Sequence, residues 1–219
     1  MLTISDIHRS LCLFLLLIPA SPQANTQIYT SQSNFLAAVN ISGTDNFSDI
    51  TFSSELASPL TRNAGTYTYS ASTISAFFGA GSASDPWLST DDATSSIYFD
   101  GFSGGVTAIG GNFFGSNIDG NFEPGDVTVT IFNLSESVTW TIADASPTSF
   151  LGFTSLVPIT SLVLRAEQPA TLLWPTVDNL TFAVAVVPEP DSCVLMLAGL
   201  AILGLRVRPI RWAGGLSPS

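Results

Sequence analysis

The sequence predicts a mainly β protein, an antiparallel β-sandwich of jelly-roll-like type with one short N-terminal helix. Apolar and polar residues alternate with a period of two in several short runs, which places one face of each strand on a core and the other in water. Turn-forming residues separate those runs. The stretch from residue 25 to residue 187 is rich in Thr, Ser, Val, Phe and Gly. Many short strands joined by frequent turns are typical of a sandwich.

The first predicted element is a secretory signal peptide over residues 1–24. Arg9 precedes an apolar run, Leu11–Ile18, and small residues follow at Ala20 and Ala24. A basic start, an apolar stretch and a small-residue cleavage site are the three parts of such a peptide. The chain is therefore expected to be exported, and its mature domain is expected to span residues 25–187.

A short helix is predicted at the start of that domain. Ser31 or Ser33 can cap it, because a serine hydroxyl accepts a hydrogen bond from a free N–H group in the first helical turn. Phe35, Leu36 and Val39 follow at helical spacing and line one face. We expect the helix to close one end of the sandwich core.

The clearest alternating runs are the predicted strands, namely Thr66–Tyr69, Val127–Phe132, Val138–Ile142, Ile159–Leu164 and Leu180–Val186. Trp140 shares the apolar face of its run with Val138 and Ile142, so we expect it in the core.

Two glycine pairs, Gly104-Gly105 and Gly110-Gly111, precede no helical pattern with Lys and Ser or Thr. They are therefore predicted to be turn or bulge glycines and not a phosphate-binding loop.

The chain ends on a three-part pattern. A Pro-Glu-Pro motif comes first, an uncharged apolar stretch at 192–205 follows, and a basic tail at 206–211 comes last. The residues that define this pattern are Pro188, Glu189, Pro190, Arg206, Arg208 and Arg211. Over residues 188–212 it resembles the PEP-CTERM sorting signal of exported bacterial proteins. Arginines after the apolar stretch would keep that end in the cytoplasm by the positive-inside rule.

The resemblance implies a membrane phase in the life of the protein. Residues 192–205 would form a transmembrane helix that anchors the chain before processing. An exosortase-type membrane peptidase would be the partner that processes it at or near the Pro-Glu-Pro motif. The mature protein would end in the cell envelope or extracellular matrix of bacteria that make exopolysaccharide and biofilm.

The mature domain carries a weaker resemblance to the same family. The segment Thr30–Val39, followed by Asp45-Asn46-Phe47, is similar to the way many of these β-sandwich domains begin. The segment Val177–Phe182 is similar to their last strand. This second likeness implies a shared fold class and no particular activity.

Charge narrows the classes of function. Residues 25–190 hold two arginines, Arg62 and Arg165, against fifteen acids and no lysine, a net charge of about −13. Nucleic-acid binding requires a basic surface and is excluded. Cys12 and Cys193 both lie in the predicted targeting segments, so no disulfide is expected in the mature domain.

The mature domain also lacks most catalytic side chains. His8 is the single histidine of the chain and lies in the predicted signal peptide. Serine–histidine triads, cysteine nucleophiles and Schiff-base lysines are therefore excluded. A glycoside hydrolase needs only two carboxyl groups, yet no acid pair stands out. We predict a protein that is not an enzyme and has no catalytic residue.

Calcium is the metal that the composition allows, because it takes oxygen ligands. One candidate cluster is the loop with Asp119, Asn121, Glu123 and Asp126. A second is formed by Asp45, Asp49 and Asp178-Asn179, which lie on the first and last strands. Turn chemistry of Asp and Asn explains both clusters equally well. No other cofactor is expected.

Two tryptophans suggest an alternative function. Trp87 follows Asp85-Pro86 in a predicted loop, and Trp174 precedes Pro175. Both are candidates for exposed stacking residues, and aromatic packing within a loop is the other interpretation. The alternative is a carbohydrate-binding module, with or without structural calcium, in which these two residues contact a polysaccharide.

Overall fold

The computed structural model describes residues 25–168 and 172–186, and Gly199 as a single helical residue. The elements in chain order are β1 (Thr26–Tyr29), α1 (Gln32–Ala37), β2 (Val39–Asp45), β3 (Glu55–Leu56), β4 (Leu60–Ala64), β5 (Tyr67–Ser72), β6 (Phe77–Ser82), β7 (Asp85–Thr90), β8 (Ile97–Asp100), β9 (Ala108–Ser116), β10 (Gly125–Asn133), β11 (Ser137–Ala145), β12 (Phe150–Ser155), β13 (Ile159–Ala166) and β14 (Trp174–Ala185). They belong to a compact unit that ends at Ala185, and Val186–Ser219 form a second unit.

The strands form two antiparallel sheets. The eight-stranded sheet has the order β1-β12-β9-β14-β7-β6-β3, with β2 also paired to β14. The six-stranded sheet has the order β11-β10-β13-β8-β5-β4. Strand β9 pairs along most of β14, while β7 meets it at Val177 and β2 meets it from Leu180 onward. The last strand of the domain is therefore an interior strand of its sheet.

The two sheets pack face to face on one core. Phe99, Val129 and Leu164 enter it from the six-stranded sheet, and Phe113 and Phe182 enter it from the eight-stranded sheet. Burying each such side chain contributes about 1.5–3 kcal/mol to folding. The predicted mainly β, antiparallel sandwich with one short helix is confirmed, and its jelly-roll-like connectivity stays a prediction.

All five predicted strands are present, as parts of β5, β10, β11, β13 and β14. In β10, buried residues alternate with more exposed ones, because Val127, Val129 and Ile131 face the core and Thr128 and Thr130 face outward. The period-two interpretation is correct for this strand.

The helix differs from the prediction in extent and in position. Ser31 caps it, accepting a hydrogen bond from the Asn34 backbone N–H at 3.5 Å. The helix ends at Ala37, so Val39 belongs to β2, and Leu36 is exposed. Phe35 alone is its buried residue.

Helix α1 covers the outer face of the eight-stranded sheet and does not close an end of the core. Phe35 belongs to a small cluster separate from the main core, with Val39, Ala108, Phe150 and Ala183. Their chain neighbours Ile109, Leu151 and Phe182 face the main core. Because successive strand residues point to opposite faces, the small cluster lies on the other side of that sheet.

Glycines make room for this helix. Gly110 and Gly152 are paired across β9 and β12, so the prediction of a turn or bulge glycine is wrong for Gly110. It is correct for Gly111 to the extent that this residue lies opposite the bulge of β14. A Cβ on Gly152 would lie 2.6 Å from Cδ2 of Phe35. A side chain at residue 152 would therefore push α1 off the sheet. Gly104-Gly105 have φ values of 75° and 64° and lie in the bend between β8 and β9, which agrees with the prediction for this pair.

Candidate functional site

The residues of the predicted sorting signal lie outside the described part of the chain. This holds for Pro188, Glu189, Pro190, Arg206, Arg208 and Arg211, for the signal peptide at 1–24 and, except for Gly199, for the stretch at 192–205. Among the residues that the structure does describe, no helix is long and apolar enough to cross a membrane.

Trp87 and Trp174 lie in strands and do not form exposed platforms. Trp87 is half-buried in β7, where its ring meets Phe114 edge-on at 4.9 Å and its Nε1 donates to Asp85 at 3.3 Å. Trp174 begins β14 and is only 8% exposed. The expected exposure of these residues is wrong, because the chain continues in register through both prolines.

Trp140 shows the opposite error. It shares the inner face of β11 with Val138 and Ile142, as predicted, since it pairs with the buried Val129. Strand β11 is at the edge of its sheet, however, and Trp140 remains 42% exposed. A residue on the inner face of an edge strand can therefore remain exposed to solvent.

The predicted calcium loop joins β9 to β10 and is held by turn hydrogen bonds. Oδ1 of Asn117 accepts from the backbone N–H groups of Asp119 and Asn121, at 3.0 and 3.1 Å. Oδ1 of Asp126 accepts from the N–H of Asp144 at 3.0 Å. Across residues 25–168 and 172–186, no group of three or more His, Cys, Asp or Glu side chains is arranged to hold a metal ion. The calcium assignment to Asp119, Asn121, Glu123 and Asp126 stays a prediction.

The second acidic cluster surrounds an arginine. Strands β2 and β14 are neighbours, as expected for the first and last strands of the candidate cluster. Both oxygens of the buried Asp45 accept from Arg62, at 2.7 and 2.9 Å. Nη2 of Arg62 also contacts Asp49 at 2.6 Å, and the Tyr69 hydroxyl donates to Asp45 at 2.7 Å. Arg62 therefore places a positive charge between these two carboxylates.

The remaining member, Asp178, is buried at a bulge of β14 and is 7% exposed. Burial raises the pKa of its carboxyl to about 6, and the negative charges of Asp85 and Asp45 add to the shift. Its oxygens accept from the backbone N–H and the side-chain amide of Asn179, at 2.7 and 2.8 Å. Burial of the Asp178 carboxylate therefore costs free energy, and the hydrogen bonds from Asn179 offset part of that cost.

A groove of about 500 Å³ crosses the outer face of the six-stranded sheet. Outward-facing side chains of β8, β10 and β13 and their flanks line it, namely Ser96, Tyr98, Thr128, Thr130, Phe132, Val163, Arg165 and Glu167. Tyr98 and Phe132 are 41% and 40% exposed. The strand register places Tyr98, Val163 and Thr130 side by side across three strands. We call this feature the outer groove.

Polar side chains in the outer groove are fixed by mutual hydrogen bonds. The Thr128 hydroxyl donates to Glu167 at 2.8 Å, and Arg165 pairs with the same carboxylate at 3.2 Å. The pKa of Glu167 is lowered, chiefly because Thr128 donates to the carboxylate and then because Arg165 does. The groove therefore combines two aromatic rings with an ordered charged pair on rigid strands.

The sequence analysis did not identify the outer groove, although a signal was present. Phe132 occupies the polar register of an alternating strand, in line with Thr128 and Thr130. Tyr98 does the same in β8, between the buried Ile97 and Phe99. An aromatic residue at a position that alternation assigns to solvent is the pattern that would have identified both.

Comparison with known families identifies the C-terminal segment. Residues 186–211 match the family model described as the PEP-CTERM protein-sorting motif. The resemblance predicted from the tail is therefore confirmed, and the chain is marked as an exported protein. No curated protein matches this sequence.

Some solved structures show weak similarity to the fold. A mutant of CBM29-2, described as a family 29 carbohydrate-binding module, is 9% identical, with a TM-score of 0.35, covering 63% of this chain and 96% of that one. A second CBM29-2 mutant is 11% identical, with a TM-score of 0.29 and coverage of 76% and 99%. A structure described as carbohydrate binding module family 29 is 10% identical, with a TM-score of 0.29 and coverage of 77% and 98%. Such TM-scores do not define a shared fold.

Proposed function

We propose that this chain is an exported, non-enzymatic protein of the cell envelope or extracellular matrix, delivered by its PEP-CTERM signal. An exosortase-type membrane peptidase processes it at or near Pro188-Glu189-Pro190, and the β-domain then acts in an exopolysaccharide or biofilm matrix. The observation that carries this proposal is the match to the sorting motif at residues 186–211, directly after β14 ends at Ala185.

The composition of the tail supports a membrane phase before processing. Fourteen uncharged residues at 192–205 would span roughly 21 Å as a helix, against a bilayer core of about 30 Å. In such a helix Val207, Ile210 and Trp212 would extend the apolar surface while the arginines would reach toward the headgroups. The proposed anchor would hold the chain at the membrane while a peptidase acts.

The contacts of three acidic side chains support the non-enzymatic assignment. Residues 25–187 contain no His, Cys or Lys, so acid–base chemistry would fall to carboxyl groups. Arg62 forms ion pairs with Asp45 and Asp49, and Asn179 donates hydrogen bonds to the buried Asp178. These three carboxyl groups already have partners within the fold.

Processing is tested by the intact mass of the protein from its native host, measured separately in membrane and medium. We expect a wild-type product that ends near Pro188 to Asp191, because the peptidase must recognise the motif. Pro188→Ala and Glu189→Gln should leave the full-length tail in the membrane fraction.

Glu55→Gln serves as the control, since it makes the same chemical change on an exposed edge strand of the β-domain. It should be processed like wild type. A wild-type protein that keeps its tail in the membrane, or a Pro188→Ala variant with the wild-type mature mass, would sink the sorting proposal.

A specific observation favours carbohydrate binding as a second function. The outer groove presents two half-exposed aromatic rings beside hydroxyl and charged groups. Aromatic rings next to hydrogen-bonding side chains are what a sugar, with its apolar ring faces and polar edges, can use. This candidate depends on Tyr98 and Phe132 and not on the tryptophans.

A further inference from the structure

We infer that the outer groove is a binding site for a neutral polysaccharide, with Tyr98 and Phe132 as stacking residues and Arg165 and Glu167 as hydrogen-bonding partners. The inference rests on the proposed function, because it names the ligand class of an exported matrix protein. It assigns that ligand to the outer face of β8, β10 and β13.

The size and construction of the groove fit a small carbohydrate segment. Its volume of about 500 Å³ lies within the range of ligand sites, roughly 300–1,000 Å³. Phe132 lies on β10 and Tyr98 on β8, with β13 between them, so two strand spacings, about 10 Å, separate their backbones across the sheet. Thr130 is level with Tyr98, and Phe132 lies two residues further along β10. The two aromatic residues can therefore contact different sugars of one chain better than a single sugar.

The groove is built on interior strands, and its threonines are hydrogen-bonded. Strand β13 forms the floor of the groove through Val163, which is paired to both β10 and β8. Thr128 and Thr130 are each hydrogen-bonded to a threonine of β11, at 3.0 and 2.9 Å. A site on interior strands loses little conformational freedom when it binds.

Charge selects the class of polysaccharide. The stretch from residue 25 to residue 190 carries a net charge of about −13, and of its two arginines Arg62 is bound to Asp45 and Asp49. Arg165, in the groove, already has Glu167 as its partner. An anionic polymer would be repelled by the surrounding field, whereas sugar hydroxyls can both donate to Glu167 and accept from Arg165.

Two other occupants fit the groove less well. A peptide strand cannot extend the sheet here, because β8, β10 and β13 already have neighbours on both sides. A second copy of the chain would need about 800 Å² of interface per partner, and among the lining residues only Tyr98, Phe132 and Val163 are apolar. Self-association is kept as an outcome of the test.

The test is affinity electrophoresis of the full-length chain in detergent, with gels that contain hydroxyethylcellulose, glucomannan or galactomannan, and with alginate and polygalacturonate as anionic probes. We expect retardation by at least one neutral polymer and by neither anionic one. Tyr98→Ala and Phe132→Ala should each weaken binding about 2- to 10-fold, the factor that loss of one aromatic contact implies.

Trp140→Ala is the matched control, since Trp140 is 42% exposed, as Tyr98 and Phe132 nearly are, but lies outside the groove. It should bind like wild type, and Tyr98→Phe should keep most of the binding. Val163→Arg, which fills the groove from its floor, should abolish it. Thermal melts of each variant check that the fold is retained.

The inference is overturned if no neutral polymer retards the protein, if an anionic one binds better, or if Trp140→Ala has the same effect as Tyr98→Ala. Sedimentation that shows a dimer of the wild type and a monomer of Tyr98→Ala would assign the groove to self-association and overturn it as well. Mass analysis separates this result from the sorting proposal, because processing is read from the tail and binding from the gel.

Discussion

At the scale of single residues, Asp178 makes stability depend on pH in an unusual direction. Its pKa is about 6 in the folded protein against an ordinary 3.8. An acid with a raised folded-state pKa binds more protons in the folded state, so folding gains stability as the pH falls from above 6 toward 4. The difference between the two values corresponds to roughly 3 kcal/mol at most.

Asp178→Asn should remove this dependence. We expect the stability of the variant relative to wild type to rise by about 1–2 kcal/mol between pH 4.5 and pH 7, because Asn carries no charge to bury. The variant also loses one acceptor for Asn179, and this loss is the same at both pH values. Urea unfolding at the two pH values measures the difference. The exposed Asp119→Asn is the control, and parallel stability curves for wild type and Asp178→Asn would contradict the assignment.

Other carboxyl groups should determine how stability is lost at low pH. Asp49 and Glu167 have lowered pKa values, because each carboxylate accepts hydrogen bonds in the folded state, the strongest from Arg62 and from Thr128. Their contribution is present above the unfolded pKa and is lost as the pH falls through the folded one. Wild type should therefore be most stable at mildly acidic pH.

Residue-scale expectations from the sequence were right about faces and wrong about exposure. Alternation placed Trp140 on the inner face, but it could not show that β11 is an edge strand. Flanking prolines suggested loops at Trp87 and Trp174, yet both residues lie in strands. Exposure depends on which strand lies opposite, and that is a property of tertiary structure.

At the scale of elements, the docking of α1 depends on the absence of a side chain at residue 152. Gly152→Ala should destabilise the protein by about 1–3 kcal/mol, because the new methyl would overlap Phe35 and Phe150. Chemical denaturation measures the loss.

A double-mutant cycle identifies the cause. Phe35→Leu should cost less in the Gly152→Ala background than in wild type, with a coupling of at least about 0.5 kcal/mol, since the smaller side chain relieves the overlap. Leu36→Ala, at the exposed neighbouring position, should not couple with Gly152→Ala. Additive effects of Phe35→Leu and Gly152→Ala would show that the helix does not press on Gly152.

The cover by α1 explains why the sequence analysis missed β9 and β12. Strands β9 and β12 are buried on both faces, so their residues do not alternate between apolar and polar. Strands with one solvated face, such as β10 and β13, were predicted correctly. The helix was predicted from its cap and its aromatic residue, but nothing local indicates which face of which sheet it covers.

At the scale of the whole molecule, Arg62 joins the two sheets. It lies on β4 of the six-stranded sheet and binds Asp45 on β2 of the eight-stranded one, while Tyr69 on β5 donates to the same carboxylate. Removing the arginine would leave Asp45 buried without a counterion, which typically costs about 3–5 kcal/mol.

The two arginines of the β-domain provide a matched comparison. Arg62→Met should lower the free energy of unfolding by about 3–5 kcal/mol, and Asp45→Asn in the same chain should recover part of the loss. Arg165→Met removes an exposed pair and should cost less than about 1 kcal/mol. Urea unfolding compares them, and equal losses would mean that the buried pair has no special role.

The overall charge and fold class followed from composition and patterning, whereas the connection between the sheets did not. Asp45 and Arg62 are separated in sequence and lie on different strands. Their contact links the two layers because β2 and β4 belong to opposite sheets. Contacts between residues of different sheets could not be predicted from the sequence pattern.

The position of β14 constrains when the molecule can form. This strand is the last of the domain, ends at Ala185 and pairs with β9, β7 and β2, so it completes the middle of its sheet. In a chain that emerges N-terminus first, the seven earlier strands of the larger sheet cannot complete that sheet until β14 arrives. The sorting motif begins at residue 186, directly after β14. The β-domain can therefore complete its fold only when synthesis has reached the sorting motif.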